Sequence, residues 1–206
     1  MKIVVASNNR GKLVELQRLA HVNGIEFITA REAGLSDDFD VEETGTTFEE
    51  NAALKASEYA KATGLYAIAD DSGIEVGALG GEPGIYTKRF AGENATDAER
   101  IAFLLEKLKE IAVGQRAARF VAALALAAPD GTILDLQTGY CPGQIAFAPR
   151  GSHGFGYDPI FIVGNGERTM AELNATEKDN VSHRGNGLRL LRPKLLELVV
   201  DRGCYN

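Results

Sequence analysis

The sequence predicts a mixed α/β fold, with a central β-sheet and helices gathered towards both ends of the chain. Three observations carry this. Short apolar runs alternate with helical periodicity in the first 70 residues, a long apolar hairpin pattern fills residues 118–140, and a leucine-rich helical pattern closes the chain. No repeat, low-complexity tract or linker interrupts the order, so residues 1–206 read as one domain elongated into two lobes.

Residues 2–6, KIVVA, have the length and composition of one buried strand. Residues 12–22 then set Leu13, Leu16, Leu19 and Ala20 at helical spacing, and Gly24 stops them. A second helix follows Thr46-Thr47 and runs to Gly64 with Phe48, Ala52, Ala56 and Tyr59 as its stripe. Its capping box is either Thr46 with Glu49 or Thr47 with Glu50. Residues 66–69 form the next strand. Thr96 with Glu99 opens a third helix that aligns Ile101, Leu104, Leu105, Leu108 and Ile111. Residues 118–127 and 132–140 flank the turn Pro129-Asp130-Gly131 as a hairpin, and residues 144–148 and 160–163 are further strands. A last helix lies within residues 183–200, where Pro193 implies a kink or a late start.

Charge narrows the partners. Against 22 Lys and Arg stand 29 Asp and Glu, a formal net charge of −7, the wrong sign for a general nucleic-acid coat or a membrane-surface protein. Any anion is held by a local cluster. A hydrophobic fraction of 45% with 25% charged residues is ordinary globular usage and excludes disordered and fibrous classes. Cys141 and Cys204 are too few for a disulfide framework and lack zinc spacing, so a reducing, cytoplasmic location is expected. The first apolar run is one strand long, which predicts no secretion signal, and no run approaches the ~20 apolar residues that span a bilayer.

Five segments carry possible chemistry. The loop Ser7-Asn8-Asn9-Arg10-Gly11-Lys12 joins a strand to a helix start, where backbone N–H groups and the helix dipole favour an anion. It is neither the Walker sequence nor the dinucleotide fingerprint, and a helix capped by Ser7 or Asn8 with a solvated lysine fits equally. Lys55 falls inside the apolar stripe of the second helix, so it either snorkels to water or points into a cleft edged by Glu42 and Glu43. Asp70-Asp71-Ser72-Gly73 ends a strand. Its paired carboxylates suit Mg²⁺ beside a phosphate, or an ordinary turn. Gly154-Phe155-Gly156-Tyr157-Asp158 suits stacking and hydrogen bonding to a planar base, or a turn with a core phenylalanine. Glu177-Lys178 and Ser182-His183-Arg184 lead into the last helix, with Ser182 as N-cap, His183 open to a surface role and Lys178 to a solvated one. The glycine-dense residues 77–92 read as a flexible lid or a wide turn.

Together the blocks SNNRGK (7–12), EETGTTFEENAALKA (42–56), ADDSGIEV (69–76), LGGEPGIY (79–86), FGYDPIF (155–161), and AEL, EK and SHR within 171–184 resemble the inosine triphosphate pyrophosphatase family, which hydrolyses non-standard purine nucleoside triphosphates. The resemblance covers nearly the whole chain. It implies a long central sheet, two lobes flanking a nucleotide-binding cleft, and a homodimer. It implies that Ser7, Asn8, Asn9, Arg10, Gly11, Lys12 and Lys55 hold the triphosphate, that Glu42 and Asp71 hold Mg²⁺, and that Asp71, or its neighbour Asp70, is the proton acceptor. Ser72 would contact substrate, Phe155, Gly156, Tyr157 and Asp158 would form the base pocket, and Lys178, His183 and Arg184 would complete recognition, with Arg184 or a backbone N–H pairing with the 6-oxo group. The implied reaction attacks the α-phosphorus and releases nucleoside monophosphate and pyrophosphate, from ITP, dITP and XTP in preference to ATP. Two other readings use the same residues: a broad-specificity metal-dependent nucleotide phosphohydrolase, and a non-catalytic purine nucleotide-binding module. The chain departs from the family's wording at Gly77, at Thr87-Lys88, and at Asn186-Gly187 with Pro193.

Overall fold

The computed structural model describes residues 1–7, 9–36 and 38–203, without the side chains of residue 10 and residues 201–203. Six strands form one sheet: β1 (Lys2–Ala6), β2 (Glu26–Thr29), β3 (Tyr66–Val76), β4 (Ala117–Ala127), β5 (Ile133–Ile145) and β6 (Phe161–Val163), in the order β2-β1-β3-β4-β5-β6. β1 is parallel to both neighbours, pairing Lys2 with Glu26 and Ile3 with Tyr66, whereas β5 and β6 run antiparallel, with Ile145 opposite Phe161. The helices are α1 (Arg10–Leu19), α2 (Phe48–Thr63), α3 (Asp97–Lys107), α4 (Ala175–Val181) and α5 (His183–Gly203). The sheet is therefore mixed and the fold α/β, as the sequence predicts.

The chain divides into two compact units. The first comprises Met1–Asp71, Ala122–Gly139 and Arg184–Asn206, and the second Ser72–Val121 and Tyr140–His183. In the first, Ile3 and Val5 of β1, Ile68 of β3 and Leu124 and Leu126 of β4 bury one sheet face against Leu16 of α1 and Leu188, Leu191 and Leu195 of α5. Each such side chain contributes about 1.5–3 kcal/mol on full burial, so this seam fixes where α1 and α5 present their polar residues. In the second, Ile101, Leu104 and Leu108 of α3 pack with Ile74, Val76, Phe120, Ile145, Ile160 and Phe161.

Caps explain the helix boundaries. Thr47 accepts a hydrogen bond from the Glu50 amide, while the Glu50 carboxylate reaches back to Thr46, and α2 ends on Gly64 in the left-handed region at φ 65°. Thr96 and Glu99 form a reciprocal box at α3.

The structure corrects several sequence boundaries. α1 ends at Leu19, three residues before the expected stop, and Asn9 caps it in place of Ser7 or Asn8. β3 continues through Asp70-Asp71-Ser72-Gly73 to Val76 instead of ending at residue 69, because the segment is an interior strand between β1 and β4. The strand expected at 144–148 is the end of β5, which runs unbroken to Ile145. Pro193 neither delays nor terminates α5, which begins at His183. Residues 77–79 and 84–89 form short 3₁₀ turns. Ser182 is the C-cap of α4, its amide bonded to the Lys178 carbonyl, and it also stands immediately before α5, the N-cap place the sequence gives it.

Candidate active site

Four elements of the first unit bring charges together at Asp70 and Asp71 of β3. Lys12, in the first turn of α1, places Nζ 3.1 Å from Asp70 Oδ2. Its backbone amide donates to the N-cap Asn9, whose own amide donates to the Ser7 hydroxyl, so Ser7, Asn9 and Lys12 are tied together. Gly11 lies in the same first turn; Asn8 and the Arg10 side chain fall outside the described residues. Lys55, from the middle of α2, donates to Asp71 Oδ1 at 3.0 Å, Glu43 Oε1 at 2.7 Å and the Asp70 carbonyl at 3.2 Å. It is buried and turned inward, so the snorkelling reading is excluded. Arg184, at the start of α5, donates through Nε to Asp70 Oδ2 and through Nη1 to Glu15 Oε2, each at 2.9 Å.

Strand alternation separates the two aspartates. Asp70 shares a face with Ile68 and meets α1 and α5; Asp71 meets Lys55 of α2. Asp70, 1% exposed, is locked between two cations. Burial pushes the Asp71 carboxyl up, against the pull of Lys55 and Lys12. Burial lowers Lys12, an effect that Asp70 opposes and that Arg184 and Lys55 reinforce. Lys55 also feels desolvation, but Asp71 and Glu43 outweigh it and hold the ammonium charged. The corner thus interleaves three cations, Lys12, Lys55 and Arg184, with the carboxylates that pair them, and has a helix N-terminus at its edge.

Glu42 is exposed, and its neighbour Glu43 takes the contact with Lys55. Among the described residues no three carboxylate, imidazole or thiolate groups converge to enclose a cation. The available donors are hard carboxylate oxygens. They fit Mg²⁺, which keeps several waters and takes one or two carboxylates together with substrate phosphates, and they do not fit a protein-enclosed zinc site. Ser72 follows in β3, half-buried.

The second unit holds the other predicted set. Asp158 is 4% exposed and its Oδ2 accepts from Lys178 Nζ at 2.6 Å and from the Phe155 amide at 3.0 Å. Lys178 Nζ lies 4.9 Å from the Phe155 ring centre. Gly154 has φ 78°, and a Cβ there would come within 2.0 Å of Asp158 Oδ2, so only glycine permits this pairing. Tyr157 is buried and donates to the Thr87 carbonyl at 3.3 Å; burial pushes its phenol to about 12, keeping it a neutral donor. The Thr87 hydroxyl accepts from the Ile74 amide and donates to the Gly84 carbonyl. His183 is buried and stacked on Phe120 with ring centres 4.8 Å apart, and Lys178 is buried too, so neither takes the solvated role left open by the sequence.

Arg184 is buried and paired through Nε and Nη1, which makes it an anchor for Asp70 before anything else. Two residues in these networks were not singled out from the sequence. Glu15 lies one helical turn after Lys12 on α1, a spacing that puts both on one face; its partner Arg184 is 169 residues away and leaves no local signal. Asp97, inside the first turn of α3, accepts from the Gly156 amide at 2.7 Å.

Residues 3–194 match the Ham1 family. The chain is 46% identical over 195 residues to the dITP/XTP pyrophosphatase of Exiguobacterium sibiricum, covering 95% of this chain and 97% of that protein. It is 45% identical over 194 residues to the dITP/XTP pyrophosphatase of Bacillus subtilis, covering 94% and 96%. The structure of a HAM1 protein from Coxiella burnetii superposes with a TM-score of 0.85 at 46% identity, covering 96% of this chain and 99% of that one. With sequence and fold agreeing over almost the entire length, the chain belongs to the Ham1 family.

Proposed function

We propose that this protein hydrolyses non-standard purine nucleoside triphosphates, ITP, dITP and XTP, to the nucleoside monophosphate and pyrophosphate. The observation that carries the reading is the half-buried Lys12 and the buried Lys55 set over Asp70-Asp71, together with relatives that are dITP/XTP pyrophosphatases. In this reading Lys12, Lys55 and the corner Ser7 to Lys12 bind the triphosphate, and Phe155 to Asp158 with Lys178 bind the base. Glu42 and Asp71 would hold Mg²⁺, which neutralises phosphate charge when bound. Asp71 accepts the proton of the attacking water. Its carboxyl is raised by burial and bonds Lys55, whereas the Asp70 carboxylate is clasped between Lys12 and Arg184, which favours Asp71 as the base. Arg184 or a backbone N–H would pair with the 6-oxo group, a donor that the 6-amino group of adenine would leave unpaired.

The reading further takes the chain as one two-lobed domain, a homodimer, and a cytoplasmic enzyme. The location is read from the cysteine usage, two in the sequence with Cys141 buried as a free thiol. No helix among the described residues is long and apolar enough to cross a membrane. The test is pyrophosphate release from ITP, XTP, dITP, ATP and GTP by wild type and Asp71→Asn. Wild type is expected to prefer the 6-oxo purines and release pyrophosphate. The variant should bind nucleotide but lose ~10²–10⁴ in turnover, the range for a general base. Equal turnover of ATP and ITP, or release of orthophosphate alone, defeats the reading, and unchanged turnover in the variant removes Asp71 from it.

A further inference from the structure

We propose that Asp97 is a positioning residue for purine recognition, fixing the Phe155–Gly156 peptide of the base loop from the first turn of α3. The inference rests on residues 155–158 being the base pocket, and it adds a residue outside the motifs. Asp97 sits where an acidic side chain ordinarily serves the helix dipole. That need is already met here, because Thr96 and Glu99 cap the helix reciprocally. The Asp97 carboxylate instead bridges outward. Oδ2 accepts from the Gly156 amide at 2.7 Å across 59 residues, and Oδ1 pairs with Arg100. Arg100 in turn donates to the Lys88 carbonyl at 2.9 Å and to Ala95.

One helical turn therefore ties the base loop to the 84–89 segment, and Tyr157 to Thr87 is a second tie between the same two segments. The other restraints on the loop act elsewhere on it: the Asp158 carboxylate accepts from the Phe155 amide and from Lys178, and the Asp158 amide donates to the Phe155 carbonyl in a long turn bond of 3.3 Å, whereas Asp97 is the side chain that takes the Gly156 N–H. Gly156 has φ 61° and open space where a Cβ would stand, so side-chain packing does not fix its peptide, and the short bond to Asp97 adds to the long turn bond at the Phe155 carbonyl in keeping it from turning. A turned peptide would tilt the Phe155 ring and redirect an N–H group that lies in the base-binding segment.

The experiment compares wild type, Asp97→Ala and Asp97→Asn by pyrophosphate-release kinetics on ITP and ATP, with thermal melting and amide exchange at Gly156. An asparagine oxygen still accepts the Gly156 N–H. In Asp97→Ala, KM for ITP should rise about tenfold, the loss expected for one charge-assisted hydrogen bond, with kcat within about twofold and discrimination against ATP reduced. Asp97→Asn should restore KM to within about threefold, since the accepting oxygen remains. Gly156 amide exchange should accelerate at least ~10-fold in Asp97→Ala alone. A wild-type KM in Asp97→Ala, equal impairment in both variants with a lowered melting point, or unchanged exchange at Gly156 overturns the proposal. Absence of ITP hydrolysis in wild type is a different result. It defeats the enzymatic reading, while amide exchange still decides whether Asp97 holds the loop.

Discussion

Replacing Lys55 by methionine keeps the length and apolar contacts of the side chain but deletes the cation that bonds both Asp71 and Glu43. Removing one member of a buried ion pair costs about 3–5 kcal/mol, because the remaining charge stays desolvated. Here the Asp71 side chain is 9% exposed, but that of Glu43 is 35% exposed and can turn to water. Part of the cost is thereby relieved, and about 2–4 kcal/mol is expected at pH 8. For a chain of this size that is roughly 5–12 °C in melting temperature. The pH dependence has a definite sign. Burial already raises Asp71 in the folded state, so its ionised form opposes folding above its unfolded pKa, and loss of Lys55 raises it further. The deficit should be largest at pH 8 and shrink as pH falls through the folded pKa of Asp71, where the protonated carboxyl no longer needs a partner. Urea unfolding of Lys55→Met, Asp71→Asn and the double variant at pH 8 and pH 5.5 measures this. The double variant should be more stable than Lys55→Met by about 1–2 kcal/mol at pH 8. A deficit below ~0.5 kcal/mol, a deficit independent of pH, or no recovery in the double variant refutes the reasoning.

Two further substitutions probe the second unit. Gly154→Ala forces a side chain into the left-handed region and against the Asp158 carboxylate, so it should break the Lys178 pair and raise KM for ITP by ~10-fold or more with a smaller change in kcat, read from steady-state kinetics. Arg116, 2% exposed, donates to the carbonyls of Leu108, Ile111, Ile145 and Ala146, and its guanidinium lies 4.3 Å from the Phe147 ring. Arg116→Lys cannot reproduce this planar fork and should cost about 2–4 kcal/mol in urea unfolding; a cost below ~1 kcal/mol would show that the carbonyls find water instead.

The sequence made the helices legible where a cap and a stripe coincide. Thr96 with Glu99 and Thr47 with Glu50 open α3 and α2 at the expected residues. α4 carries the same kind of signal, Asn174 with Glu177, but its seven residues are too short for periodicity to stand out. β2 escaped for a related reason. Four residues, EFIT, with only Ile28 fully buried, show no alternation, and their strand identity comes from pairing with β1. Asp70-Asp71 read as a strand end because charge interrupts an apolar run, yet tertiary partners on both faces let β3 continue through it. Of the candidate site, the lysines and aspartates could be named from local spacing. Glu15 and Asp97 could not, since their importance lies with partners 169 and 59 residues away.

The unbroken course of β3 through its two aspartates has a consequence for how the chain tolerates change. Because neighbouring side chains on a strand leave by opposite faces, Asp70 and Asp71 are separately addressable: a substitution at either leaves the other's partners seated. Insertions and deletions are another matter. Losing one residue between Tyr66 and Ala69 cannot shift the pair by a tolerable fraction of a step. It would present each carboxylate to the other's helices, exchanging the anchor and the proposed base at once. This stretch of the chain can therefore vary in composition but not in length.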